Sequence, residues 1–295
     1  MIFTTTRVRF PSGSDVLVGD LHQPQGQDAE SATTIVIVTG SWTTVKEQQA
    51  DFYARRLAAA GLTTLVFDFR GFGQSEGNPR CWENPARKVE DIRAAVSFAA
   101  SQGYTRVGAL GICASAGYQA VNAADDQRVC SLALVAPWLH NRKLVAPYYG
   151  GEAGVLGRID MSRAAAARYA ETGEVDYIPA ISTTDESAAM FGPFDYYLDS
   201  QRGDIPEWDK QIAVMSWEPW LTFNPIDSAP KVTVPVHMVH SHDGAVPDGA
   251  QLFFDALPGP KHIDWLPGTQ LDFYDQPAQV DPAVAAVVEH FRHTL

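Results

Sequence analysis

The sequence is short of positive charge and of long apolar runs. Twenty-two lysine and arginine residues stand against 35 aspartate and glutamate residues, which gives a net charge of −13 at pH 7. Nucleic acids and anionic membrane surfaces are bound through clustered lysine and arginine, so we expect neither as a partner. No stretch has the form of a signal peptide or of a membrane-spanning helix, and we therefore expect a cytoplasmic protein.

Cysteine is also scarce. Cys81, Cys113 and Cys130 are odd in number and lack metal-ligand spacing, which is typical of a protein from a reducing compartment. The sequence shows neither a metal-spaced cluster nor a phosphate-binding glycine loop at a strand–helix junction, so no metal or organic cofactor is expected. A small-molecule substrate fits the acidic balance best.

The pattern along the chain indicates an α/β fold. Runs of strand character alternate with runs of helix character, which predicts a mostly parallel sheet with helices on both faces, preceded by an antiparallel hairpin. The predicted strands cover 6–10, 16–22, 34–38, 62–69, 106–112, 130–135, 234–240 and 262–266. The predicted helices cover 46–60, 85–102, 114–125, 247–257 and 282–292.

The alternation stops for close to ninety residues in the second half of the chain. The segment 138–227 is rich in aromatic residues and contains one obvious helix, at 162–171. An insertion of this length between two sheet strands is more typical of a lid than of a structureless loop. We therefore expect a core made of 1–137 and 228–295, with 138–227 as a lid. Most of its aromatic residues would form a small core of the lid itself, and some would line a pocket.

The segment Leu-Gly-Ile-Cys-Ala-Ser-Ala-Gly at 110–117 has the form of a nucleophile elbow with cysteine as its central residue. A sharp strand-to-helix turn strains this residue and needs small neighbours two positions away, as Gly111 and Ser115 are. The Cys113 side chain would project from the carboxyl edge of the sheet, where the helix amino terminus favours the thiolate. We therefore expect an exposed and activated thiol. The alternative is a small buried side chain at a tight crossing.

Four segments together carry a family resemblance. They are Thr-Gly-Ser-Trp at 39–42, Asp-Phe-Arg-Gly-Phe-Gly-Gln-Ser-Glu-Gly at 68–77, the cysteine elbow, and His-Ser-His-Asp-Gly-Ala-Val-Pro at 240–247. With them the chain resembles the α/β-hydrolase superfamily. It is most similar to the branch that contains dienelactone hydrolases and the thiohydrolases and acyltransferases of polyketide pathways, a match to which Val-Lys-Glu-Gln at 45–48 and Trp-Glu-Asn-Pro at 82–85 contribute.

The resemblance implies roles for individual residues. Cys113 would be the nucleophile, and Asp243, in the loop after the strand that ends near His240, would be the triad acid. The backbone N–H groups of Ser41 and Ala114 would form the oxyanion hole. For Asp243 a second interpretation stays open, in which it only turns the chain.

The histidine of the family's triad is missing. In the family it follows the last strand, where this chain has Gln270, and glutamine is not a useful proton acceptor at neutral pH. His242 could serve instead because it lies on the active edge, although it shares a loop with Asp243, the acid that would have to hold it. His262 is expected at the opposite edge of the sheet, and His237, in a buried strand, is expected to be structural.

Two further hypotheses need no histidine. The Cys113 thiol could react unaided, in which case acyl transfer to a nucleophile better than water becomes more plausible than hydrolysis. Alternatively, the site could bind a small apolar ligand without turnover.

If the protein is an enzyme, the expected substrate is a small ester, thioester or lactone, with Trp42 and Trp138 as candidate substrate-binding residues. If the thiol reacts without a histidine, Gln270 could hold a water or hydrogen-bond a substrate carbonyl.

Overall fold

The computed structural model describes residues 1–26 and 33–295. Its strands are β1 (Phe3–Ser12), β2 (Asp15–Pro24), β3 (Thr34–Thr39), β4 (Thr64–Phe67), β5 (Arg106–Ile112), β6 (Val129–Val135), β7 (Tyr177–Pro179), β8 (Ile181–Ser182), β9 (Met190–Phe191), β10 (Gln211–Ala213), β11 (Val236–His240) and β12 (Lys261–Trp265). Its α-helices are α1 (Gln49–Ala59), α2 (Pro85–Ser101), α3 (Ala114–Asp125), α4 (Arg142–Val145), α5 (Gly151–Thr172), α6 (Asp195–Leu198), α7 (Trp217–Leu221), α8 (Pro247–Ala256), α9 (Asp272–Asp275) and α10 (Pro277–Thr294).

An eight-stranded sheet with the order β1-β2-β4-β3-β5-β6-β11-β12 forms the centre of the structure. The six strands from β4 to β12 in this order are parallel, while β2 pairs antiparallel with both β1 and β4. All six residues of β3 are buried, as expected for a continuous apolar run inside a parallel sheet. The predicted mostly parallel sheet and its antiparallel amino-terminal hairpin are confirmed.

Two predicted helix boundaries were wrong. Helix α1 begins at Gln49 rather than at Lys46, because Asp68 binds both the backbone N–H and the ammonium group of Lys46 and holds residue 46 outside the helix. Helix α10 begins at Pro277 rather than at Pro282. The later proline lies inside the helix, at the cost of one backbone hydrogen bond.

The insertion at 138–227 contains more regular structure than its sequence predicted. Helix α5 has 22 residues, more than twice the length of the predicted helix, because Gly151, Gly154 and Gly157 weaken the helical signal of its first turns. Strands β7 and β10 pair antiparallel, and β8 and β9 pair parallel. The buried aromatic residues of the insertion belong to the same apolar cluster as the sheet core and do not form a separate core.

No helix within residues 1–26 and 33–295 combines the length and the apolar character needed to cross a bilayer.

The elbow predicts a strict size limit at Gly111. A Cβ at this position would lie 2.6 Å from the Cα of Ala116 and 2.7 Å from the Ser115 carbonyl oxygen. Both are backbone atoms, so relieving the overlap would require the elbow itself to shift. Gly111→Ala is expected to lower the free energy of unfolding by about 1–3 kcal/mol, measured by urea denaturation. Gly157→Ala in α5 is the matched control. A Cβ there meets nothing within 4 Å, so this variant should be neutral or stabilised by up to about 1 kcal/mol. Equal stability of the two variants would contradict a crowded elbow.

Candidate active site

Cys113 occupies the sharp turn between β5 and α3. Its backbone has φ 56° and ψ −119°, a conformation that L-residues seldom adopt and that costs about 1–3 kcal/mol. The turn is fixed from both sides: the Cys113 N–H donates to the Val135 carbonyl (3.0 Å), and its carbonyl accepts from the N–H groups of Ala116 (3.1 Å) and Trp138 (2.9 Å). The strained turn that the sequence predicted is therefore present, and it is tied to β6 and to the first residue of the insertion.

The Cys113 thiol is surrounded by polar groups but closed off from solvent. The residue is 5% exposed, and burial raises the pKa of the thiol. Hydrogen bonds from the hydroxyls of Ser41 and Tyr274, from the Ala114 N–H and from Gln270 act in the opposite direction without reversing the shift. The prediction of an exposed and activated thiol was wrong, because side chains outside the elbow, which local sequence could not position, cover it.

Three hydroxyl groups lie together beside the thiol. The Ser41 Oγ is 3.0 Å from the Tyr197 hydroxyl and 3.2 Å from the Tyr274 hydroxyl. Burial raises the pKa of both tyrosines, so each phenol stays protonated and can donate. Sequence reasoning assigned Ser41 only a backbone role and missed the tyrosines, which come from α6 in the insertion and from the short helix α9.

The two backbone groups predicted for an oxyanion hole come after β3 and β5, which are neighbouring parallel strands. Ala114 is the first residue of α3, where N–H groups have no partner inside the helix, and Ser41 follows β3. Within the described residues, neither N–H donates to a backbone carbonyl. Because no backbone carbonyl holds them, both N–H groups can stabilise a developing negative charge, and their role as an oxyanion hole stays a prediction.

Glu83 connects the parts of the site through one carboxylate. It is fully buried and accepts hydrogen bonds from the Thr43 N–H (2.8 Å), the Tyr118 hydroxyl (2.7 Å) and the Lys88 ammonium group (2.8 Å). Thr43 belongs to the loop of Ser41 and has φ 62°, and Tyr118 lies on α3, the helix behind Cys113. This carboxylate therefore fixes the distance between the Ser41 loop and the elbow helix.

Gln270, predicted to replace the family's histidine, connects two loops beside the elbow. Its Oε1 accepts from the Ala245 N–H (2.9 Å) and its Nε2 donates to the Ala136 carbonyl (2.7 Å). The Gln270 amide also acts on Cys113 and lowers the pKa of its thiol. Gln270 thus ties the loops after β6 and β11 to the elbow but supplies no group that takes up a proton.

The other predicted triad candidates, Asp243 and His242, are not among the groups that act most on the thiol. Asp243 is exposed, and its carboxylate has no hydrogen bond or ion pair with a residue in the described ranges. His242 is also exposed, and its ring stacks on Trp265 with centroids 4.0 Å apart. His262 lies at the beginning of β12, at the opposite edge of the sheet, as predicted. The groups that act most on the Cys113 thiol include no histidine.

Aromatic side chains form one wall beside the elbow. The Trp42 ring lies 5.2 Å from Trp220 and 5.8 Å from Trp217, both in α7 of the insertion, and Trp138 lies 6.1 Å from Trp220. The Trp138 Nε1 donates to the Nδ1 of His140, whose Nε2 lies 3.0 Å from the Trp220 carbonyl oxygen. His140 is thus fully engaged, while the buried Nε1 of Trp42 has no partner among the described residues.

Comparison with known proteins agrees with this architecture. Residues 29–178, about half of the chain, match the Hydrolase_4 family, described as serine aminopeptidase, S33. The chain belongs to the Hydrolase_4 family. Its α/β-hydrolase fold is also that of the solved structure of hypothetical protein PA2218 from Pseudomonas aeruginosa, with a TM-score of 0.85, 21% identity, and 99% of this chain and 94% of that chain covered.

This Hydrolase_4 member also resembles curated proteins along most of its length. It is 29% identical over 271 residues to the uncharacterized protein YcjY of Escherichia coli K12, with 85% of each chain covered. It is 26% identical over 247 residues to the thiohydrolase aneE of Aspergillus aculeatus, covering 78% of this chain and 76% of that protein. Other matches are named as an acyltransferase and a polyketide transferase, and a dienelactone hydrolase is among the structures of the same fold. The resemblance predicted from the sequence is confirmed.

The buried pair of Glu83 and Lys88 predicts a large stability effect. Glu83→Gln keeps the shape of the side chain but leaves the Lys88 ammonium group buried without its counter-ion. We expect a loss of about 3–5 kcal/mol in the free energy of unfolding, measured by urea denaturation. The double variant Glu83→Gln with Lys88→Met removes the unpaired charge and should recover most of the loss. A single variant that stays within about 1 kcal/mol of the parent would contradict the structural role of Glu83.

The environment of Cys113 predicts slow alkylation at neutral pH. Because burial raises the pKa of the thiol, the reactive thiolate is a small fraction at pH 7, and the rate should keep rising above the ordinary thiol pKa of about 8.5. The measurement is the iodoacetamide rate at Cys113 by peptide mass spectrometry from pH 6 to 10. Cys113 in urea-unfolded protein is the matched reference. A rate that reaches its plateau below pH 8 would contradict this account.

Proposed function

We propose that this chain transfers an acyl group from a small ester, thioester or lactone through a thioester formed on Cys113. The observation that carries the proposal is a thiol held at a strained elbow, beside a cluster of three hydroxyls and within reach of the Ala114 N–H. A glycine would adopt this backbone conformation without strain. A cysteine at this position is strained where a glycine would not be, and a reaction of the thiol would explain why the strain is tolerated.

The hydroxyl cluster supplies a path for the thiol proton. As the Cys113 Sγ attacks the acyl carbon and the S–C bond forms, its proton passes to the Ser41 Oγ. Ser41 passes its own proton to the leaving oxygen or sulfur, whose bond to the acyl carbon breaks. Tyr197, which stays protonated, can stabilise the Ser41 oxygen during this exchange by donating a hydrogen bond. The N–H groups of Ser41 and Ala114 would bind the acyl oxygen as it becomes negative.

The absence of a base at Gln270 favours transfer over hydrolysis. Water is a weak nucleophile and needs a proton acceptor to attack a thioester, whereas a thiol or amine acceptor depends less on one. The acceptor attacks the acyl carbon, the C–S bond breaks, and the thiol is regenerated as the acceptor's proton returns to sulfur through Ser41. The aromatic wall of Trp42 and Trp138 would contact the apolar part of the acyl group.

A second candidate function is binding without turnover. Cys113 is 5% exposed, burial raises its pKa, and Gln270 is hydrogen-bonded to two backbone groups as a structural residue would be. In that case the aromatic wall would hold a small apolar ligand. The two candidates differ in whether an acyl group becomes attached to sulfur.

Intact-protein mass spectrometry with a short acyl thioester tests the proposal. The wild type should gain the mass of one acyl group, and added thiol or amine acceptor should raise turnover and yield the transfer product. Cys113→Ala should gain no mass and lose turnover by about 10³-fold or more. If the wild type binds the probe but gains no mass, the binding function is correct. Turnover that survives in Cys113→Ala would show that the nucleophile is wrongly assigned.

Replacing Gln270 should change how the thioester is consumed. Gln270→His places a general base where the family has one, so the hydrolysed share of the product should rise at least about tenfold. Gln270→Met is the matched control, since it removes the amide without adding a base and should leave hydrolysis low. The measurement is the ratio of free acid to transfer product at fixed acceptor concentration. An unchanged ratio in Gln270→His would contradict the role assigned to this position.

A further inference from the structure

A histidine-rich cluster lies at the amino edge of the sheet, away from the elbow. His237 and His262 are register partners on the neighbouring parallel strands β11 and β12, and Asp264 lies two residues beyond His262. Side chains two residues apart on a strand point to the same face, and register partners share a face. The three side chains therefore converge, although no spacing in the sequence resembles a metal motif.

The distances within the cluster suit a small cation. The Nε2 atoms of His237 and His262 lie 2.8 Å and 3.0 Å from the two oxygens of the same Asp264 carboxylate. The potential ligand atoms of the three residues all lie within 4.8 Å of one another. Among the described residues, this is the group of three or more histidine, cysteine, aspartate or glutamate side chains that is close enough to hold a metal ion. Two ligand atoms of a tetrahedral zinc ion are roughly 3.3 Å apart, so small shifts would complete the geometry.

The surroundings supply access and further ligands. A cavity of about 420 Å³ opens at the cluster and is also lined by Glu289, His290 and His293 of α10. The His262 side chain is 65% exposed and that of Asp264 is 36% exposed, so an ion can enter from solvent. Glu289, His293 or water could complete the coordination sphere, while the Nε2 of His290 is already engaged by the Ser131 hydroxyl at 2.8 Å.

We propose that His237, His262 and Asp264 bind one divalent transition-metal ion such as Zn²⁺. Two imidazoles and one carboxylate are a ligand set that zinc accepts, and hard cations such as Mg²⁺ prefer oxygen ligands. The ion would join β12, the last strand of the sheet, to β11, and α10 lies beside both. We assign the ion a structural role, which is to stabilise the pairing of β11 and β12. Cys113 lies at the opposite edge of the sheet, so the ion takes no part in the chemistry proposed there.

Calorimetric titration of the full chain with ZnCl2, after treatment with a chelator, tests the site. The wild type should bind one zinc per chain, and zinc should raise its melting temperature. His262→Ala and Asp264→Asn should each weaken zinc affinity at least about tenfold and remove the rise in melting temperature. His262 is largely exposed and asparagine is isosteric with aspartate, so both variants should fold without zinc.

Two control variants separate this site from other ligands in the chain. Cys113→Ala removes the elbow thiol and His242→Ala removes an exposed histidine at the opposite edge, and both should keep wild-type zinc affinity. Absence of stoichiometric binding in the wild type would overturn the proposal. So would unchanged affinity in His262→Ala and Asp264→Asn, or loss of binding in Cys113→Ala.

Discussion

The buried carboxylate of Glu83 is the contact on which the candidate site depends. A charge removed from water must be fully hydrogen-bonded, and Glu83 meets this demand with Lys88, Tyr118 and the Thr43 backbone. These partners belong to α2, α3 and the loop after β3. The hydrogen bonds to Glu83 therefore hold α3, which carries the elbow, at a set distance from the loop that carries Ser41.

Around this contact the elbow keeps its form, and the groups nearest the thiol are hydroxyls and an amide. The strained Cys113 backbone is locked by Val135, Ala116 and Trp138, and the N–H groups of the two oxyanion candidates have no backbone acceptor in the described residues. The Gln270 amide connects the loops after β6 and β11 through two hydrogen bonds. A histidine at this position could also take up and release a proton, which an amide cannot do. The hydroxyls of Ser41, Tyr197 and Tyr274 lie beside the sulfur instead. Such a site can orient and polarise an acyl group without activating water, which is the physical basis for proposing transfer.

The parallel sheet separates two kinds of chemistry. The residues that follow β3, β5, β6 and β11 meet at its carboxyl edge and form the site around Cys113. At the amino edge, β11 and β12 begin with histidines in register, and Asp264 lies close to both. The first edge is covered by the insertion and is aromatic and closed. The second is open to solvent and rich in imidazole, which suits it to an ion.

Sequence alone was enough to predict the order of the strands and long helices of the sheet core and the position of the elbow. Both follow from local patterns: apolar runs, breaks at glycine and proline, and the size limit at Gly111 and Ser115. It also predicted a missing base, because the resemblance places Gln270 where the family has its histidine. It misjudged the first turns of α5, where glycines weaken the helical signal, and the exposure of Cys113.

The surroundings of the thiol became visible only in the folded chain. Ser41, Tyr197 and Tyr274 are separated by up to 233 positions in the chain and meet through packing, for which no local spacing exists. The same holds for His237 and Asp264, which strand register brings together. Local sequence specifies backbone conformation because neighbouring residues constrain each other directly. Burial and long-range hydrogen bonds depend on how distant segments pack, and these set the pKa and the partners of Cys113.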